Sequence, residues 1–238
     1  MTSDGWVAFW KKKASKSQPV IANKWLQTKL YGIVDLGYAP EEKLPEVTRE
    51  LLQGGAGIIQ LRAKGREKSE IRDWAKELLP LCREADVPFI INDFIDIAAE
   101  IDADGVHLGQ DDGPLQAARE QLKESKIVGR STHSPEQAET ALREGADYIG
   151  FGPLFPTPTK KGRPGIGLEN IPGVMKKVGT HIPVFCIGGI KGDNLAIIKE
   201  AGAKRVVVVS DLLLAKSISQ VAQEICQTFE ENFGEYHL

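Results

Sequence analysis

Eight short apolar runs, each followed by a stretch with helical periodicity, constrain this chain more than any other feature. The runs are Leu30–Asp35, Gly57–Arg62, Pro88–Asn92, Gly105–Leu108, Ile127–Ser131, Tyr148–Gly152, Pro183–Ile187 and Arg205–Ser210. Helical segments between them include Ser69–Ala85, Asp93–Ile101, Pro135–Glu144 and Asp193–Ala201. Asp93 is a candidate cap for the segment it opens. Ser134–Pro135 is a start signal, because proline at the first helical position gives up no needed N–H. Near-continuous apolar strands that alternate with helices read as parallel strands buried on both faces, joined by right-handed βαβ units. Eight strands over about 209 residues, roughly 26 per unit, suit a closed barrel. A doubly wound open sheet is the rival, but the spacing is nearly even and no G-x-G-x-x-G follows the first strand. The expected fold is α/β, a (β/α)8 TIM barrel over residues 30–238 with a short N-terminal extension, residues 1–29.

Composition narrows the function classes. The net charge is only -3 over 238 residues, which gives no broad basic footprint for nucleic acid. No run of about 18 apolar residues exists to span a membrane. Cys82, Cys186 and Cys226 are odd in number and widely spaced, so neither a disulfide framework nor a zinc site is indicated, and a reducing cytoplasm fits best. In the arm, Trp6, Phe9 and Trp10 fall at i, i+3, i+4 and form one apolar face if helical. They read as packing that covers the barrel bottom, or as a dimer or partner contact. Oligomeric state stays open, a homo-oligomer included.

In a barrel, function sits at the C-terminal ends of the strands, and here those ends are polar. Arg62, Lys64 and Lys160 project over one face, where a guanidinium fork and mobile ammonium groups suit an anion with several negative charges, such as pyrophosphate. A solvated rim is the plainer reading of each cation taken alone. Asp93 and Asp112 end or follow neighbouring strands, about 4.8 Å apart. Mg²⁺ takes one or two carboxylates and completes its shell with water and substrate phosphate. Gly188-Gly189 and Val209-Ser210 follow strands seven and eight, a common place for a phosphate held by backbone N–H groups. A tight turn needing positive φ is the other reading of the glycines. The run from Phe155 to Gly165 is a long Pro-, Gly- and cation-rich loop, a candidate lid. His107 and His133 are the strand-end histidines and read as structural.

Taken together, these segments resemble the thiamine phosphate synthase family. The resemblance rests on Gln60-Leu61-Arg62-Ala63-Lys64, Ile91-Asn92-Asp93, Asp104 through Asp112, and Gly145 through Gly150. It continues in Gly152 through Lys160 and Ile187-Gly188-Gly189-Ile190, and runs from about Tyr31 to Ser210. It implies a transferase of thiamine biosynthesis. Hydroxymethylpyrimidine pyrophosphate would be coupled to a thiazole phosphate with Mg²⁺ as cofactor, giving thiamine monophosphate and pyrophosphate. By the family motif Arg62, Lys64, Asn92 and Lys160 hold the pyrophosphate, and Asp93 and Asp112 hold Mg²⁺. Gln60 contacts the pyrimidine and Ser131 lies close to the reacting groups. Thr157, Thr159, Gly188, Gly189, Val209 and Ser210 surround the thiazole phosphate. Arg62, Lys64, Ser131 and Lys160 are the candidate catalytic residues. Two positions depart from the family pattern: Lys161-Gly162-Arg163 lacks an acid, and Asp211 stands where small residues are frequent. The alternatives are a thiazole tautomerase, which needs a general acid/base and no pyrophosphate apparatus, and a non-catalytic thiamine-phosphate-binding regulator on the same barrel.

Overall fold

The computed structural model describes residues 20–123, 125–157 and 164–230. Trp6, Phe9 and Trp10 of the arm lie outside them, as do Thr159, Lys160 and Gly162. The chain alternates strand and helix as its apolar rhythm demands. In order the elements are β1 Gly32–Asp35, α1 Leu44–Gln53, β2 Ile59–Arg62, α2 Lys68–Glu84, β3 Phe89–Asn92, α3 Ile95–Glu100, β4 Gly105–Leu108 and α4 Leu115–Gln121. There follow β5 Ile127–Thr132, α5 Pro135–Arg143, β6 Tyr148–Phe151, α6 Ile171–Lys177, β7 Val184–Ile187, α7 Leu195–Glu200, β8 Val206–Val207, α8 Ser210–Leu213 and α9 Ile218–Phe229. Every neighbouring strand pair is parallel and in chain order from β1 to β8. A parallel bridge between Leu30 and Val206 closes the sheet, with Tyr31 N donating to Val206 O at 3.0 Å. This is the expected (β/α)8 barrel.

Two expected boundaries shift. Strand eight ends at Val207, because Ser210 already starts α8. Asp93 does not cap α3. Phe94 is the residue before that helix, and Asp93 sits in the left-handed region at φ +66°. By contrast Ser134 does cap α5, accepting from Gln137 N at 3.3 Å, with Pro135 in the first turn.

Apolar packing forms two layers. One lies between strands and helices and includes Leu61, Ile91, Val106, Val128 and Ile149. The other fills the barrel interior with Trp25, Tyr31, Ile33, Ile58, Ile90, Tyr148, Phe185 and Val207. The interior rings meet edge to face. Tyr31 and Phe185 have centroids 5.2 Å apart, Tyr148 and Phe185 5.7 Å, and Trp25 and Tyr148 6.0 Å. That arrangement suits the ring quadrupole and adds about 0.5–1.5 kcal/mol per pair beyond area burial. Gly129 makes the space: a Cβ there would lie 2.1 Å from Cζ of Tyr148. Trp25 belongs to the turn Val20–Gln27 that precedes β1, and its side chain packs into the barrel interior.

Trp25→Ala is expected to destabilise the protein by about 3–5 kcal/mol, the usual result of emptying a large buried aromatic site. Urea unfolding reads this. A loss below about 1 kcal/mol would contradict the assignment of Trp25 to the core.

Candidate active site

The strand ends converge at one mouth. Asp35 and Arg62 are register partners at the ends of β1 and β2. Arg62 Nη1 donates to Asp35 Oδ2 at 2.7 Å, and Asp35 Oδ1 accepts from Gly37 N at 2.8 Å. Asp35 is 1% exposed and Arg62 17%. A buried carboxylate therefore fixes the guanidinium on one side. Sequence reading missed Asp35. Its one signal was an acid closing an apolar run in register with Arg62.

Lys64 Nζ lies 3.2 Å from Asp93 Oδ2. Asp93 also comes within hydrogen-bond reach of the Asp112 carboxyl. Burial raises Asp93 above the ordinary carboxylate range. The Asp112 side chain pushes the same way, and Lys64 opposes both. Asp112 is held in place, its Oδ2 accepting from Gly109 N at 2.6 Å. Arg130, buried behind the sheet, steadies the same loop by donating to Gly113 O at 2.7 Å. Asp93 N donates to His107 O at 2.9 Å, locking the left-handed turn that presents its carboxylate.

Lys64 balances one of these two neighbouring carboxylates, and a further cation would offset the other. Among the described residues no group of three or more His, Cys, Asp or Glu could hold a metal. The donor set therefore does not make a closed structural site. It fits Mg²⁺, which needs few protein ligands and fills its shell with water and phosphate oxygens.

Further inward, Gln60 Nε2 donates to Tyr31 Oη at 2.7 Å, and the Tyr31 and Tyr148 hydroxyls are 2.8 Å apart. His107 bridges Tyr148 Oη, 3.0 Å from Nδ1, to Ser131 Oγ, 2.9 Å from Nε2. Gln110 Nε2 donates to Ser131 O at 2.6 Å. Burial pushes both phenols far above their ordinary values, so each keeps its proton. Asn92 is also buried, at the end of β3.

Across the mouth a cavity is lined by Pro153, Thr157, Ile187, Gly188, Gly189, Ile190, Val207, Val209 and Ser210. It unites Thr157, Gly188, Gly189, Val209 and Ser210, as the sequence reading expects. Gly188 and Gly189 have φ of +97° and +65°. A Cβ at Gly188 would lie 2.3 Å from Pro153 Cβ. The tight-turn reading of the glycines therefore holds, and the turn lines the cavity. Leu154 N donates to Ile187 O at 2.8 Å and Phe155 N to Gly188 O at 3.0 Å, which seats the loop after β6 on the loop after β7. Asp211 is not among the lining residues. Its Oδ2 accepts from Gly192 N at 3.0 Å. His133 is tied to backbone through Nδ1 and Gly152 O, a structural role. Burial holds Cys82 and Cys186 up at about 12 and Cys226 at about 11, so none is a ready nucleophile.

Fold and site together define a (β/α)8 barrel with paired acids and cations on one side of its mouth and a glycine-lined cavity on the other. Residues 30–212 match the thiamine monophosphate synthase family (TMP-TENI). A thiamine-phosphate synthase of Shouchella clausii is 40% identical over 205 residues, covering 85% of this chain and 97% of that protein. One from Synechocystis sp. is 42% identical over 187 residues, covering 79% of this chain, which spans 54% of the Synechocystis protein. The solved thiamine phosphate pyrophosphorylase of Pyrococcus furiosus superposes with a TM-score of 0.77 at 37% identity, covering 88% of this chain and 99% of that one. The chain belongs to the thiamine monophosphate synthase family.

The two acids that pair with cations should respond oppositely to neutralisation. Asp35→Asn leaves Arg62 buried without its counter-charge and is expected to destabilise by about 3–5 kcal/mol. Asp93→Asn keeps a residue type that tolerates left-handed backbone and removes the repulsion from Asp112. Its metal-free stability is expected to stay within about 0.5 kcal/mol of the parent or to rise. Urea unfolding without Mg²⁺ compares them. Equal losses at both positions would contradict the charge assignment.

Proposed function

We propose that this chain is a thiamine-phosphate synthase. It couples hydroxymethylpyrimidine pyrophosphate with thiazole phosphate to give thiamine monophosphate and pyrophosphate. The observation that carries this reading is the Lys64–Asp93 ion pair at 3.2 Å, with Asp112 near enough to raise the Asp93 carboxyl, at the same mouth as the glycine-lined cavity. A simple anion site would not press two carboxylates together. A metal–pyrophosphate site would.

The reaction breaks the bond between the pyrimidine methylene and the pyrophosphate oxygen, and the pyrophosphate leaves with the electron pair. The thiazole nitrogen donates its lone pair to the methylene, so no general base is needed. Asp93 and Asp112 would hold Mg²⁺, whose positive charge offsets that of the leaving group. Arg62, pre-aimed by Asp35, and Lys64, with Asn92 and Lys160, bind the pyrophosphate and stabilise its growing charge. Lys64 is 57% exposed and, among the described residues, its ion pair is with Asp93, so little is lost when it turns to a phosphate. The backbone at Gly188, Gly189 and Ser210, with Thr157 and Thr159, holds the thiazole phosphate and so orients the nucleophile. Gln60 meets the pyrimidine, and Ser131 lies beside the departing group. Three free cysteines fit a cytoplasmic enzyme. Among the described residues no helix is long and apolar enough to cross a membrane.

Purified protein supplied with both substrates and Mg²⁺ should release pyrophosphate much faster when the thiazole phosphate is present, with thiamine monophosphate as product. No thiamine monophosphate under those conditions would overturn the proposal. Asp93→Ala and Asp112→Ala should each lower kcat by ~10²–10³-fold while remaining folded. An unchanged rate with unchanged Mg²⁺ dependence would remove the metal role. For Lys160→Ala, kcat should fall at least as much as KM rises; a change in KM alone would make Lys160 a binding residue only.

A further inference from the structure

Gln60, Tyr31, Tyr148, His107 and Ser131 come from five different strand regions yet form one unbroken hydrogen-bonded chain. Each phenol has one proton and His107 has two ring nitrogens, so the chain can be counted proton by proton. The Gln60 amide nitrogen gives a proton to Tyr31. Among the described residues the hydrogen-bond acceptor within reach of the Tyr31 proton is Tyr148 Oη, so a buried Tyr31 hydroxyl is satisfied by giving its proton there, and Tyr148 then gives its own to Nδ1 of His107. Nδ1 is therefore the acceptor, and Nε2 carries the ring proton and donates it to Ser131 Oγ. The Ser131 proton is thereby turned out of the chain. With an acceptor at the Gln60 end every bond reverses, and Ser131 points its proton inward to Nε2.

We infer that Tyr31, Tyr148 and His107 are positioning residues, a directional relay through which the orientation of the Gln60 amide sets the direction of the Ser131 hydroxyl. The relay is buried and its members pack ring against ring, with His107 stacked on Tyr148 at 5.5 Å between centroids. Reversal therefore turns the Gln60 amide and moves protons, while the Tyr31, Tyr148 and His107 rings stay in place. Its consequence for specificity rests on the reading above. An aminopyrimidine offers N–H to the Gln60 carbonyl, which leaves the amide nitrogen on Tyr31 and the Ser131 proton free for a pyrophosphate oxygen. A 4-oxo analogue demands the amide nitrogen instead, which turns the carbonyl onto Tyr31, reverses the relay and withdraws that proton. Recognition at one end of the chain thus governs leaving-group stabilisation at the other. Sites built around buried hydrogen bonds can discriminate strongly in this way.

The test is ¹⁵N NMR of the histidine-labelled full chain at about pH 9, with His107 assigned by its own substitution. The parent is expected to show His107 protonated at Nε2 and bare at Nδ1. Gln60→Glu places an acceptor on Tyr31 and should move the proton to Nδ1. Tyr148→Phe cuts the relay and should leave both tautomers populated. A parent protonated at Nδ1 or at both nitrogens, or a tautomer unmoved by either variant, overturns the relay. These spectra need no turnover, so they decide the relay even where thiamine monophosphate fails to form and the functional reading falls. Where it does form, Tyr148→Phe should lower the kcat/KM preference for the aminopyrimidine over its 4-oxo analogue at least tenfold, mainly through kcat. An unchanged preference would overturn the specificity role.

Discussion

The parallel bridge from Leu30 to Val206 is the constraint on which the remaining structure depends. It joins the last strand to the first, so eight strand ends that lie far apart in sequence share one rim. Closure also creates an interior that must be filled. Here the lower interior is filled by Trp25, Tyr31, Tyr148 and Phe185, packed edge to face. Gly129 yields its side-chain volume to the Tyr148 ring. The same rings that fill the barrel carry hydroxyls upward, so the core runs into the site without a boundary.

Charge at the rim is balanced locally. Arg62 is held by buried Asp35 and Lys64 by Asp93. The two pairs differ in kind. Asp35 is sealed in and acts as a fixed counter-charge, whereas Asp93 shares its position with Asp112 and has a contact that a cation would satisfy better. Left-handed backbone at Asp93 is a small local strain of the sort found where a side chain must be aimed. A nearly neutral chain thus gathers cations and carboxylates at one mouth.

Much of this was legible in the sequence. Each strand was visible because parallel strands buried on both faces are almost wholly apolar, and the polar residues after them marked the mouth. Gly188-Gly189 and Val209-Ser210 stood out for the same reason. What escaped did so for physical reasons. Asp35 ends an apolar run, and only the register with Arg62 gives it meaning. Asp93 looked like a helix cap because its spacing to α3 suits one, but its backbone turns the other way. Tyr31 and Tyr148 look like ordinary core residues in sequence. Their hydroxyl partners, Gln60 and His107, are separated from them by tens of residues and meet only inside a closed barrel. Asp211 departs from the family pattern, and its bond from Gly192 N, which keeps it out of the cavity lining, is not readable from the sequence.

The central claim is that one mouth holds a metal–pyrophosphate and a phosphate on opposite sides of the reacting atoms. A crystal structure with thiamine monophosphate, pyrophosphate and Mg²⁺ tests it most directly. The account predicts the ion against Asp93 and Asp112, the pyrophosphate on Arg62, Lys64 and Asn92, and the product phosphate at Gly188, Gly189 and Ser210. Pyrophosphate bound away from Asp93 and Asp112, or a product phosphate outside the glycine-lined cavity, would contradict it.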